Sequence, residues 1–487
     1  MPKISIAKQE EATYPASAPF HPEAGFPESP LPGRDANNTV YRAVRDSLVL
    51  LGLDADHVDS ADWNPLGGLI DPGDVVFLKP NMIAHKHALH EDWEYVITHG
   101  SVIRAVVDYI YIALRGEGRI IVGDAPQTDS HFDQIIERMG LAALRDLYKD
   151  EKGFVIDLLD LRDEHWVEKD GIYVETVNLP GDPLGSVTVD LAEKSLFSEL
   201  DGTGKTYYGA FYDTDETNQH HRDGKHEYCI SRTPIDADVF INVPKLKTHK
   251  KCGLTVNVKS LVGINANKNW LPHYCIGSPE DGGDQFPHKA GVKGRLENRI
   301  VLEAKKRLLG ESRMMQLAAR KLKGLGYKIF GGTEEVVRSG NWYGNDTVWR
   351  MSVDLNRVLM YANSDGTMRP VGKAKRFFSV VDGIHAMEGN GPVAGTLFPA
   401  GVILAGDNPV SVDAACARLM GFDYRKLPLI FRCLEPHTYP LIEESYTSIF
   451  ASSNCPEWNG PLDTWPEDSL FGFDPHFGWT HHIELST

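Results

Sequence analysis

None of the six cysteines stands in a C-x-x-C pair; Cys229, Cys252, Cys275, Cys416, Cys433 and Cys455 are scattered along the chain. That spacing signals neither a zinc ribbon nor an iron-sulfur cluster, and reduced thiols are the simplest state. No stretch approaches the roughly 18 apolar residues needed to span a bilayer, and the opening MPKISIAKQEE has no apolar signal core, so a cytoplasmic chain with no membrane partner is expected. Basic residues are in deficit, with 50 Lys and Arg against 68 Asp and Glu and a net charge of -18. Nucleic acid, which needs a basic face, is therefore not an expected partner. Neither G-x-G-x-x-G, nor G-x-x-x-x-G-K-[ST], nor G-x-S-x-G occurs, so nucleotide binding and covalent acyl chemistry have no motif to rest on. Internal repeats, heptads and low-complexity tracts are absent too.

What is present is a folded chain of 487 residues, 42% hydrophobic, long enough for two or three domains or one elaborated α/β domain. Residues 1–38 are rich in Pro, Ala and Gly and predict an irregular arm. A body over 39–425 alternates short apolar runs with helical periods, and the tail 426–487, rich in Pro, Trp and Phe, reads as a covering segment. Strands are expected at Val75–Leu78, Arg119–Val122, Phe154–Leu158, Asp238–Val243, Arg376–Val381 and Gly401–Ala405, with helices between them. That order predicts a mostly parallel, doubly wound α/β sheet. Residues 160–235 break the rhythm and read as an insertion with some antiparallel strands, and 295–362 as a helical excursion.

The densest chemistry lies in 236–274, DADVFINVPKLKTHKKCGLTVNVKSLVGINANKNWLPHY. An apolar run stops at Pro244 and is followed by Lys245, Lys247, His249, Lys250, Lys251, Asn257, Lys259, Asn265, Lys268 and His273. The alternation of Lys245, Lys247 and His249 sends them to one face, whereas Lys250 and Lys251 read as a solvated pair. In an open parallel sheet ligands lie beyond the carboxyl ends of the strands. Five expected strands end in polar residues: Lys79 with Asn81, Asp124, Lys245 with Lys247 and His249, Asp382 with Glu388, and Asp407. One convergent site follows, for an anionic small molecule. Lys245, Lys247, His249, Asp382 and Glu388 are the proton-transfer candidates, and Lys79, Asn81, Asp124, Asn242, Lys259, Asn265, Lys268, Asn390 and Asp407 the ligand-binding ones. The mixture of acids and bases favours an enzyme of the isomerase, epimerase or lyase kind over a binding or assembly protein. Replacing Lys247 or His249 by Ala is expected to abolish function with little loss of stability. The loop Met387–Gly395, MEGNGPVAG, is expected to offer backbone N–H groups to the ligand. Asp124, Asp382, Glu388 and Asp407 are hard oxygen donors that would suit magnesium. His85, His87, His90 and His99 read as a surface cluster, and Asp407 in GDNP as a helix cap as much as a ligand.

The ordered blocks KPNM (79–82), THGSVIRAVVDYI (98–110), VGDAP (122–126), DADVFINVPKLKTH (236–249), VKSLVGINANKN (258–269), VDGIHAMEGNGPVAG (381–395) and AGDNPVSVDAACARLMG (405–421) resemble the DUF362 domain family over roughly residues 70–425. Many members of that family carry a four-iron ferredoxin module; with its cysteines unclustered this chain departs from them, and no iron-sulfur cluster is expected. The resemblance implies the fold and the place of the site, not a reaction. A looser similarity in strand order and Lys/His content is to the N-terminal domain of nickel-pincer lactate racemases.

Overall fold

Apolar residues that alternate along a strand and are buried on both sides require cover on both faces of the sheet. In the computed structural model, which describes residues 3–169, 172–209, 213–288, 336–442 and 449–485, this is the arrangement found. The parallel strands are β2 (Val75–Pro80), β3 (Arg119–Asp124), β4 (Ile156–Asp160), β5 (Val239–Val243) and β8 (Arg376–Glu388), side by side in the order β8-β5-β2-β3-β4. Val76, Leu78, Ile120, Val122, Val239 and Ile241 point into a core with helices α1 (Thr39–Leu50), α2 (Gly100–Leu114) and α4 (Leu141–Lys152). Their neighbours Phe77, Ile121 and Phe240 point into a second core under α6 (Val348–Tyr361) and α7 (Pro409–Leu419). The fold is α/β with a large, mostly parallel sheet. No described helix is long and apolar enough to cross a membrane.

Strand β10 (Val402–Gly406) runs antiparallel to β8, pairing Ser379 with Gly406 and Gly383 with Val402. Both ends of the chain then join the sheet: β1 (Lys3–Lys8) lies between β10 and β11 (Phe450–Ser453), and β12 (Gly460–Pro461) follows. The arm expected to be irregular therefore begins as a strand whose Ile4 and Ile6 are core residues. Likewise the tail supplies strands as well as cover. The stretch between β3 and β4, where the sequence predicts a helix, holds two, α3 (Phe132–Arg138) and α4, parted at Gly140, whose φ of 63° lies in the left-handed region. The insertion holds antiparallel pairs, Glu164–Lys169 with Ile172–Asn178 and Ser186–Asp190 with Lys225–Ser231. Of the helical excursion expected over 295–362, residues 295–335 lie outside the described residues.

Beyond Val243 the chain does not leave the sheet. After Pro244 it re-enters as β6 (Lys245–His249), parallel to the far half of β8, and turns back as β7 (Gly253–Thr255). β8 runs on past Asp382, where a loop was expected, because β6 and β9 (Thr396–Phe398) pair with its extension.

Candidate functional site

Strands β2 and β3 end side by side, and their terminal polar residues meet: Lys79 Nζ lies 2.9 Å from Asp124 Oδ1, both residues being buried. Asp124 Oδ2 also accepts the amide of Met82 at 2.8 Å. The segment 258–268 is pressed onto this pair, with Ala125 N donating to Gly263 O at 2.8 Å. A Cβ on Gly263 would stand 1.7 Å from Asp124 Oδ1, so only glycine permits the approach. From the end of this segment Lys268 Nζ returns to donate to Val262 O and Ala125 O, each at 3.0 Å. From β6, Lys247 Nζ donates to Val96 O at 2.7 Å and Pro392 O at 3.2 Å.

Lys259 differs from these lysines. It sits on the single-turn helix α5 (Asn257–Ser260), whose first amides are held by Asp413 of α7: Asn257 N donates to Oδ1 at 2.8 Å and Val258 N to Oδ2 at 3.0 Å. It is only 8% exposed, and its ammonium pairs with no carboxylate among the described residues. Burial lowers the pKa of Lys247, Lys259 and Lys268, and the lysines depress one another further, with Asp124 opposing. Lys268 is brought to about 7. Lys251, expected to be solvated, is buried with its ammonium 4.8 Å above the Tyr274 ring.

A second group forms where β6 meets β8. Lys245 Nζ lies 2.9 Å from Asp382 Oδ2 and 2.6 Å from the Tyr14 hydroxyl, which donates to Asp382 Oδ1 at 2.6 Å. The amide of His99 donates to Asp382 Oδ2 at 2.8 Å, and the His99 ring stacks on Tyr14 at 3.9 Å. This triangle is closed: each charged atom already has its partners. Lys245 and Asp382 do share a site across 137 residues of sequence, but as a mutually neutralising pair rather than as an open acid and base. At the other end of β6, His249 Nδ1 lies 3.2 Å from Cys252 Sγ and accepts the Lys251 amide at 3.0 Å. Its pKa falls well below the ordinary value, chiefly through burial and then through Lys259. Spacing gave no hint of this thiol-imidazole pair.

The remaining expectations fare differently. Asn242 is taken up in a structural network, its Nδ2 donating to Asn257 Oδ1 and its Oδ1 accepting from Ser260. Asn81 closes a turn onto Ile83 N. Glu388 leaves the cleft and accepts Asp474 N at 3.0 Å, since the longer β8 carries it toward the tail. Asp407 is exposed and follows Gly406, which pairs with Ser379; because β10 is antiparallel, the chain there runs toward the amino ends of the parallel strands and away from the site, and the cap of α7 is Asn408, which accepts from Val410 and Ser411. The four carboxylates proposed for magnesium thus do not converge, and no group of three or more His, Cys, Asp or Glu among the described residues could hold a metal. The loop 387–395 meets its neighbours through carbonyls and one amide: Pro392 O meets Lys247, Gly395 O meets His87 Nε2 at 2.8 Å, and Gly389 N donates to Asp474 O at 2.7 Å. Asn390 sits in this loop, half-buried. His87 and His99 are buried, and His90 stacks on His87 at 3.7 Å. Asn265 is fully buried, and neither of its amide atoms has a partner among the described residues. Tyr14 and Asp413 were not singled out by sequence; Asp413 lies inside the block 405–421, but Tyr14 stands in an arm without period.

Among curated proteins, a thylakoid-associated protein of Synechocystis sp. is 27% identical over 207 residues, 42% of this chain and 44% of that one. The chain thus matches less than half of that relative's length. The profile of the domain of unknown function DUF362 matches residues 76–223 and 198–418, which include β2, β5, β6, α5 and the lysines above, and the chain belongs to the DUF362 family.

Proposed function

We propose that this chain is an enzyme acting on an anionic small molecule held by Lys79, Lys247, Lys259 and Lys268, with Lys268 or His249 moving a proton. One observation carries the reading: four buried lysines, Lys79, Lys247, Lys259 and Lys268, bear electrostatically on one another around a single carboxylate, Asp124, which Lys79 already engages. Such a group is costly unless an anion completes it. Lys268, brought to about 7 by burial, titrates where a general acid or base works best. The closed triangle of Tyr14, Lys245 and Asp382 favours a second reading, a protein that holds the same ligand without turnover, because it removes the carboxylate expected to work opposite the lysines. The proposal keeps the chain in the cytoplasm, its described cysteines all being free thiols, with no nucleic-acid or membrane partner. Thermal-shift screening against phosphorylated sugars, nucleotides and hydroxy acids, with and without magnesium, tests binding; stabilisation by an anion is expected, and none at all would sink both readings. Deuterium exchange from solvent into a stabilising ligand, followed by NMR, then separates them: wash-in supports the enzyme, its absence the binding protein.

A further inference from the structure

We propose that the ligand is a compact oxyanion with at least two negative charges, of the phosphate-ester or pyrophosphate class, gripped by ammonium groups rather than backbone amides. This rests on the anion-binding reading above and narrows it. Charge comes first. Lys79, Lys247, Lys259 and Lys268 share the cleft with Asp124, whose oxygens are already engaged by Lys79 and by the amides of Met82 and Ala125. Burial and mutual repulsion already draw protons off Lys247, Lys259 and Lys268, and a ligand with two or more negative charges restores more of those protons than a monocarboxylate does.

Geometry points the same way. The four lysines come from β2, β6, α5 and the segment behind it, so four separate stretches of chain bring their charges to bear on Asp124. A planar carboxylate is best matched by the fork of an arginine, while lysine acts as a point charge suited to a phosphate. The arginine that bears on Lys268, Arg162, is already spent: it binds Asp160 at 2.7 Å and donates to Gln127 O and Ser130 O. The first amides of α5, one backbone route to a phosphate, are also occupied, by Asp413. Asn265 adds an independent sign. In the turn between Val262 O and Lys268 that the Lys268 ammonium bridges, it is buried with its amide donor and acceptor both unpaired. A neutral pair of this kind suits an ester or hydroxyl oxygen beside the charged group.

Isothermal titration of the full chain with pyrophosphate, glycerol 3-phosphate, malonate and acetate tests the proposal. Pyrophosphate and glycerol 3-phosphate are expected to bind about tenfold or more tightly than malonate, and acetate least. Lys259→Met and Lys268→Met are each expected to weaken pyrophosphate about ten- to a hundredfold, the range of one lost charged hydrogen bond, with circular dichroism unchanged. If acetate binds as tightly as pyrophosphate and Lys259→Met weakens it, the charge class is wrong while the cleft stands; if malonate, also a dianion, binds as tightly, the phosphate class is overturned. If none of the four binds, the cleft reading fails and this inference with it. Pyrophosphate binding indifferent to both substitutions would place the anion on another surface and overturn the proposal.

Discussion

Lys245 and Lys259 are both buried lysines within one short stretch, yet their substitutions should act in opposite directions. Lys245 is one side of a closed ion pair, so Lys245→Met or Asp382→Ala strands the other charge and should cost about 3–5 kcal/mol. The Lys259 ammonium pairs with no carboxylate among the described residues and is buried beside other lysines, so Lys259→Met should raise stability by about 0.5–2 kcal/mol, as relief of a functional strain commonly does. Urea denaturation of the three variants measures both; a destabilised Lys259→Met would mean that the ammonium is structural. Lys247 falls between, since its loss leaves Val96 O and Pro392 O without their donor, so the expectation that Lys247→Ala leaves stability alone does not hold. Lys268 supplies a pH signature. Its folded pKa of about 7, lowered mainly by burial and further by Lys79, Lys259 and Arg162 against Asp124, lies below the unfolded value of about 10.4. Between these values the unfolded chain holds the extra proton, so stability attributable to this residue rises with pH from about 7 to about 10. Anion affinity should do the reverse, falling as pH rises through 7, because the ligand needs the ammonium. Titrating pyrophosphate from pH 6 to 9 checks this, and Lys268→Met should flatten the profile; a flat profile in the parent chain would remove Lys268 from the site.

Two contacts between elements decide whether the lysines meet. Gly263 lets the segment 258–268 lie on the ends of β2 and β3, and Gly263→Ala would drive its Cβ into Asp124. A loss of about 1–3 kcal/mol is expected, the range for overpacking, together with loss of anion binding; thermal melts and titration of this one variant report both, and undiminished binding would show that the contact does not set the cleft. The strand ends Lys79 and Asp124 were legible, because a short apolar run that stops at a polar residue marks a parallel strand and its ligand-side end. What misled was direction and length. Periodicity cannot say that β10 runs backwards, which removes Asp407, nor that β8 continues through pairing with β6 and β9, which carries Glu388 away. Asp413 looked like any residue of an apolar helix, since its role, holding α5 and hence Lys259, is a contact across 156 residues. Tyr14 could not be found by pattern at all: its arm has no period, and its hydroxyl is fixed by tertiary packing alone.

At the scale of the whole chain, a cationic cleft is enclosed in a molecule of net charge -18. A free anion must cross a repulsive outer field before it meets the lysines, and the two fields respond to salt differently. The outer one is screened within a Debye length, about 8 Å at 0.15 M ionic strength, while interactions inside a buried cleft are screened much less. Raising ionic strength from about 0.01 M to about 0.15 M should therefore speed association of pyrophosphate, with little effect on dissociation. The opposite dependence, an on-rate that falls with salt, is the behaviour of a surface basic patch attracting its ligand. Stopped-flow measurement of both rate constants across this range distinguishes the two. A rising on-rate fits a cleft whose lysines are buried behind acidic surface, as Lys79, Lys247, Lys259 and Lys268 are; a falling one would transfer the anion to exposed lysines and undo the assignment.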